Sequence, residues 1–200
     1  MADIFFSPEE FSLILDHRMF DIKAGILSKI TDLFSAVERD IRHQLESTEF
    51  DFPENISIRT GKISRGENYL NCPYLVLDYP RLFSKEDIFS FRTIFWWGHY
   101  FSNAFILGGN SYNQHISYLS DHPEKLKNTD WLLCVHHTPW KLELEKSNYV
   151  PIKTLREREI SHILHRYKFL KIAKIYSLDS YDQLKTGSVE FITEILGVLG

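Results

Sequence analysis

The chain has 200 residues, 44% of them hydrophobic and 25% charged, and a formal net charge of −4 at neutral pH. A chain of this length and composition reads as one ordinary globular domain that buries about 70% of its unfolded surface. Overall acidity speaks against a basic nucleic-acid binder, two cysteines against a disulfide scaffold, and the lack of any eighteen-residue apolar run against a membrane span.

The first eleven residues show no basic stretch leading into a long apolar run, so a secretory signal is not expected and a cytoplasmic setting is. Ser7-Pro8-Glu9-Glu10 combines a capping serine, a proline suited to a first helical position and a glutamate three residues after the cap. These signals predict a short helix to about Arg18. Ile26, Leu27, Ile30, Leu33, Phe34, Val37, Ile41 and Leu45 then recur at spacings of three and four, predicting a long amphipathic helix over Ile22–Glu46.

From Ile56 the period shifts to two. Strands are predicted near Ile56–Ser64, Tyr74–Tyr79, Phe89–Trp97 and Tyr100–Leu107, with Asn, Pro and Gly between them. The third of these opens an exceptional window: eight of the seventeen residues 89–105 are aromatic. Alternation puts Phe89, Phe91, Thr93 and Phe95 on one face and Ser90, Arg92, Ile94 and Trp96 on the other, with Gly98 either turning the chain or bending one long strand. One face is apolar; the other mixes rings, hydroxyls and a guanidinium, and needs a cover. A loop ranks first as that cover, a homodimer partner second and a small ligand third.

Residues 113–126 fit either a helix or turns. A strand is predicted over Trp131–His136, loops near Pro139 and Pro151, a helix over Leu155–Tyr167 capped by Thr154, a strand over Phe169–Tyr176 and a closing helix over Ser188–Leu199. This order predicts a single α+β domain, residues 1–200. An antiparallel sheet of four to six strands packs against the long N-terminal helix and the C-terminal helices.

No motif names a reaction or a cofactor. Walker spacing, a GxSxG elbow and HExxH are all absent. The preferred reading is a binding module whose concavity, on the mixed sheet face, is lined by Arg65, Asp78, Arg81, Arg92, Trp96 and Tyr100. Arginine forks suit an anionic group and rings suit a planar body. A buried Asp78 would need a cation, with Arg65, Arg81 and Arg92 in range of sequence. The competing reading is a metal-dependent hydrolase built on His136, His137, His162 and His165, whose imidazoles could join a carboxylate around zinc. Residues 1–55 carry five basic and twelve acidic side chains, and residues 153–174 seven basic and two acidic. The second segment is the one place where an anionic polymer could bind, and overall acidity speaks against nucleic acid as a partner.

Overall fold

The structure is a computed structural model describing residues 5–127 and 130–200. The first element, α1 (Pro8–Leu15), starts where the capping signals put it. Glu10 N–H donates to Ser7 Oγ at 3.2 Å and Ser7 N–H donates to Glu10 Oε2 at 2.7 Å. The long helix α2 (Arg18–Glu46) begins four residues before the apolar stripe predicts, and buries Leu27, Phe34, Val37 and Ile41.

Four strands follow as consecutive antiparallel hairpins: β1 (Lys62–Tyr69), β2 (Cys72–Phe83), β3 (Asp87–Trp96) and β4 (Tyr100–Gly108). After α3 (Gly109–Asp121) come short β5 (Leu132–Cys134) and β6 (Tyr149–Pro151), α4 (Glu157–Arg166), β7 (Phe169–Tyr176) and α5 (Leu184–Leu199). The seven strands form one antiparallel sheet in the order β1-β2-β3-β4-β7-β5-β6, so the last strand inserts between β4 and β5. Both cysteines are free thiols.

The aromatic window is a hairpin. Phe95 lies opposite Phe101 and Trp96 opposite Tyr100, around a turn at Gly98, whose φ of 74° is the left-handed region that glycine enters freely. Three turn residues keep the parity, so Phe89, Phe91, Phe95, Phe101 and Phe105 all enter the main core under α2, α3 and α5. Helix α5 is also pinned by polar contacts. Ser188 Oγ donates to Leu184 O, Asn103 Nδ2 donates to Ser188 Oγ at 2.9 Å and to Tyr176 Oη, and Thr93 Oγ1 donates to Asn103 Oδ1 at 3.0 Å. All four side chains are buried, and each finds a partner, as a low-dielectric interior demands.

Several boundaries differ from expectation. Residues 56–61 are not a strand: Ser57 makes an isolated bridge to Arg81, and Gly61 N–H donates to the Glu38 carboxylate on α2 at 3.0 Å instead of to a neighbouring strand. The ambiguous stretch after Gly108 is helix α3, which starts at Gly109. There φ is 58°, and an added Cβ would stand 1.9 Å from Glu86 O. Thr154 does not cap α4, because Leu155 is extended and the Thr154 hydroxyl donates to Pro151 O; the Glu159 carboxylate accepts from Arg156 N–H instead. The strand predicted over Trp131–His136 is only Leu132–Cys134, since the chain beyond it crosses the sheet face, and residues 149–151, predicted as a loop near Pro151, pair with it as β6.

Candidate functional site

The mixed face of the sheet carries Val76 and Asp78 from β2, Ser90, Arg92, Ile94 and Trp96 from β3, Tyr100 and Ala104 from β4, and Lys171 and Ala173 from β7. Residues 135–148, between β5 and β6, cross this face as a strap. Leu142 packs on Val76, Ile94 and Trp96. Tyr100 Oη donates to Leu142 O at 2.6 Å and accepts from Leu144 N–H at 3.0 Å. Tyr69 Oη donates to Glu143 and accepts from Leu142 N–H at 3.2 Å. Beneath the strap, Lys171 is 2% exposed and its Nζ donates to Pro139 O at 2.7 Å and Lys141 O at 3.0 Å.

These contacts move ionisation. Burial, then the bond to Glu143, pushes Tyr69 up to about 12. Burial also raises Tyr100 and Tyr149, and pushes Lys171 down to about 7. Burial would raise Glu143, yet the Tyr69 hydroxyl and Lys141 outweigh it and hold the carboxyl below its ordinary value.

The strap seals most of the face but stops short of one end. There a hollow of about 440 Å³ remains between β1, β2, β3 and Trp140. A β-bulge builds it. Asp78 pairs with Arg92, but Arg81 pairs with Ser90, so three steps along β2 match two along β3. Parity in a regular strand would send residues 78 and 81 to opposite faces; the extra residue returns both to the same one. Asp78 is 6% exposed and accepts from Arg92 Nε at 2.6 Å, from Arg92 Nη2 at 3.0 Å and from Ser90 Oγ at 3.2 Å. The Arg92 guanidinium lies beside a pair of touching rings, 5.7 Å from the centre of Phe83 and 5.3 Å from that of Trp140, whose centres are 6.1 Å apart. Arg81 Nε is buried without a hydrogen-bond partner in the structure.

Of the residues expected at the site, Asp78, Arg81 and Arg92 line the hollow together. Arg65 does not reach it. It lies opposite Leu75, on the helix-covered side, and its exposed guanidinium faces Glu67 at 3.7 Å. Trp96 is buried and stacks on His99, and Tyr100 is engaged by the strap, so both support the strap rather than open space. Lys62, Phe83 and Trp140 join them in the wall, with Ser64, Tyr69, Tyr74, Val76 and Leu142 on the β1 and strap side. Lys62 had a sequence signal, since alternation along β1 puts it beside Asp78; Phe83 and Trp140 had none, because the bulge and the path of the strap decide their placement. The lining carries three cations to one carboxylate, with aromatic surface beside them. It suits holding an anion and a flat body.

The histidines are not brought together. His136 and His137 lie ring to ring at 3.9 Å in the strap, while His162 and His165 stand exposed on α4. Among the described residues, no three His, Cys, Asp or Glu side chains are grouped closely enough to hold a metal ion. The basic run of residues 153–174 is partly spent internally, with Lys171 buried and Lys153 paired to Asp130 at 2.7 Å. No helix among the described residues is long and apolar enough to cross a membrane. No family model, curated protein or solved structure matches the chain.

Proposed function

We propose that this protein binds small molecules that combine an anionic group with a planar body, in the hollow beside Arg81, Arg92 and Trp140. The observation that carries this reading is Arg81 Nε, buried in the wall of the hollow without a partner. A guanidinium N–H withdrawn from water has lost hydration that only an acceptor can restore, and an anion supplies the strongest one. Arg92 is already neutralised by Asp78, so its task is to hold Phe83 and Trp140 in place by stacking, leaving Arg81 and Lys62 to meet the ligand's charge. A volume of about 440 Å³ accommodates an aromatic acid or a mononucleotide.

Thermal unfolding in the presence of benzoate, AMP or inorganic phosphate tests the reading. At a hundredfold excess over its Kd a ligand adds about 2.7 kcal/mol, raising Tm by several degrees in a chain of this size. At least one of the two planar anions should do so for the wild type, phosphate should do less, and Arg81→Met should abolish the effect while keeping its fold. A wild type indifferent to all three probes, or an Arg81→Met variant that responds as the wild type does, would refute the proposal.

A further inference from the structure

Helix α1 buries none of its residues, although it is strongly apolar. Phe11, Ile14 and Leu15 form a stripe at spacings of three and four, and beyond the break at Asp16 the side chains of Met19, Phe20 and Ile22 stand exposed on the first turns of α2. Each of these six side chains is between 49% and 66% exposed. Monomeric soluble proteins rarely leave so many large apolar groups contiguous and wet. Beside the stripe runs a trough along α2. Its first stretch, about 630 Å³, lies between Met19, Ile22, Pro73 and Trp97, with the charged Asp16, Arg18 and Lys23 also lining it; its second, about 350 Å³, continues past the same Trp97 to Ile26 and Ile30.

We infer that α1 seats in this trough of a second copy, reciprocally, to form a two-fold symmetric dimer. The area decides for a second copy. Six half-exposed side chains, two of them phenylalanines of about 150–250 Å² each, present several hundred Å² per chain before the trough is added, of the order of the roughly 800 Å² that each partner buries in a stable interface. The shapes agree as well. Eight residues of helix span about 12 Å, and a three-four stripe laid into an apolar groove is a recurrent way for a helix to dock. A two-fold axis makes one patch serve as both donor and acceptor, so each chain's stripe and trough are covered at once. Glu9, Glu10, Asp16 and Asp21 outnumber Arg18 and Lys23 along this arm, so an anionic lipid surface is a poor alternative cover. The inference is independent of the hollow.

Light scattering and sedimentation of the full chain across micromolar concentrations test it. The wild type should have twice the chain mass. A Phe11→Glu/Leu15→Glu variant, altered only at exposed positions, should keep its circular dichroism and raise the dimer dissociation constant at least about a hundredfold. Mixing that variant with Ile26→Glu, which damages the trough and leaves the stripe untouched, should restore a mixed dimer, because one intact stripe then meets one intact trough. A wild type of single-chain mass at every concentration overturns the inference. So does an arm variant that still dimerises like the wild type, since another surface would then hold the copies together.

Discussion

Asp78 and Lys171 are both buried on the mixed sheet face, and they meet their desolvation in different ways. Asp78 and Arg92 pair through two hydrogen bonds, with Ser90 taking a further lone pair. Breaking such a pair on one side leaves the other charge stranded, so Asp78→Ala should cost about 3 kcal/mol in urea unfolding. Adding Arg92→Met should recover part of the loss; no recovery would mean that the stranded guanidinium is not the cause. Lys171 instead approaches neutrality, since burial outweighs the attraction of Cys134 and Glu143 and the nearby Arg92 adds repulsion. An amine keeps two N–H donors after losing its proton, so the bonds to Pro139 O and Lys141 O survive. Lys171 titrates at about 7 in the folded chain and near 10.4 when unfolded. Between those values the unfolded chain binds the extra proton, and stability therefore rises with pH. The wild type should gain about 2 kcal/mol from pH 7 to pH 9 relative to Lys171→Met. Parallel pH profiles of the two proteins would contradict the assignment.

At the scale of elements, the strap is held by few contacts. A tyrosine from β4, a tyrosine from β1, Tyr167 just after α4 and the lysine from β7 bond its backbone, and Leu142 supplies the apolar anchor. Tyr100→Phe should therefore act locally. It strands Leu142 O and Leu144 N–H at a cost of about 1–2 kcal/mol, and cleavage between residues 135 and 148 should accelerate in limited proteolysis. Unchanged cleavage would show that Tyr69, Tyr167, Lys171 and the packing of Leu142 hold the strap without Tyr100. The helix-covered side is fixed differently, by the chain of Thr93, Asn103 and Ser188 inside an aromatic core. The helix and strand periods made the main elements legible, and the Phe169–Tyr176 strand was read to its ends. The strap was not legible as such, because residues 135–148 have no periodicity and their contacts lie 30 or more positions away in sequence.

For the whole molecule, the inferred dimer makes stability a function of concentration. Tm of the wild type should rise on concentrating the protein, while Tm of Phe11→Glu/Leu15→Glu should stay constant, as linkage between folding and association requires. Local patterns in the amino-acid order settled the α+β class, the antiparallel hairpins, the long helix and the apolar side of the aromatic strands, because helix and strand periods are properties of neighbouring residues. Tertiary structure alone decided which residues share the hollow. One extra residue in β2 reverses the side that Arg81 faces, and a strap arriving from far along the chain covers Trp96 and Tyr100 while leaving Trp140 beside Arg92. Side-chain alternation is local and survives in any fold, whereas the cover over a sheet face depends on segments that meet only when the chain is closed.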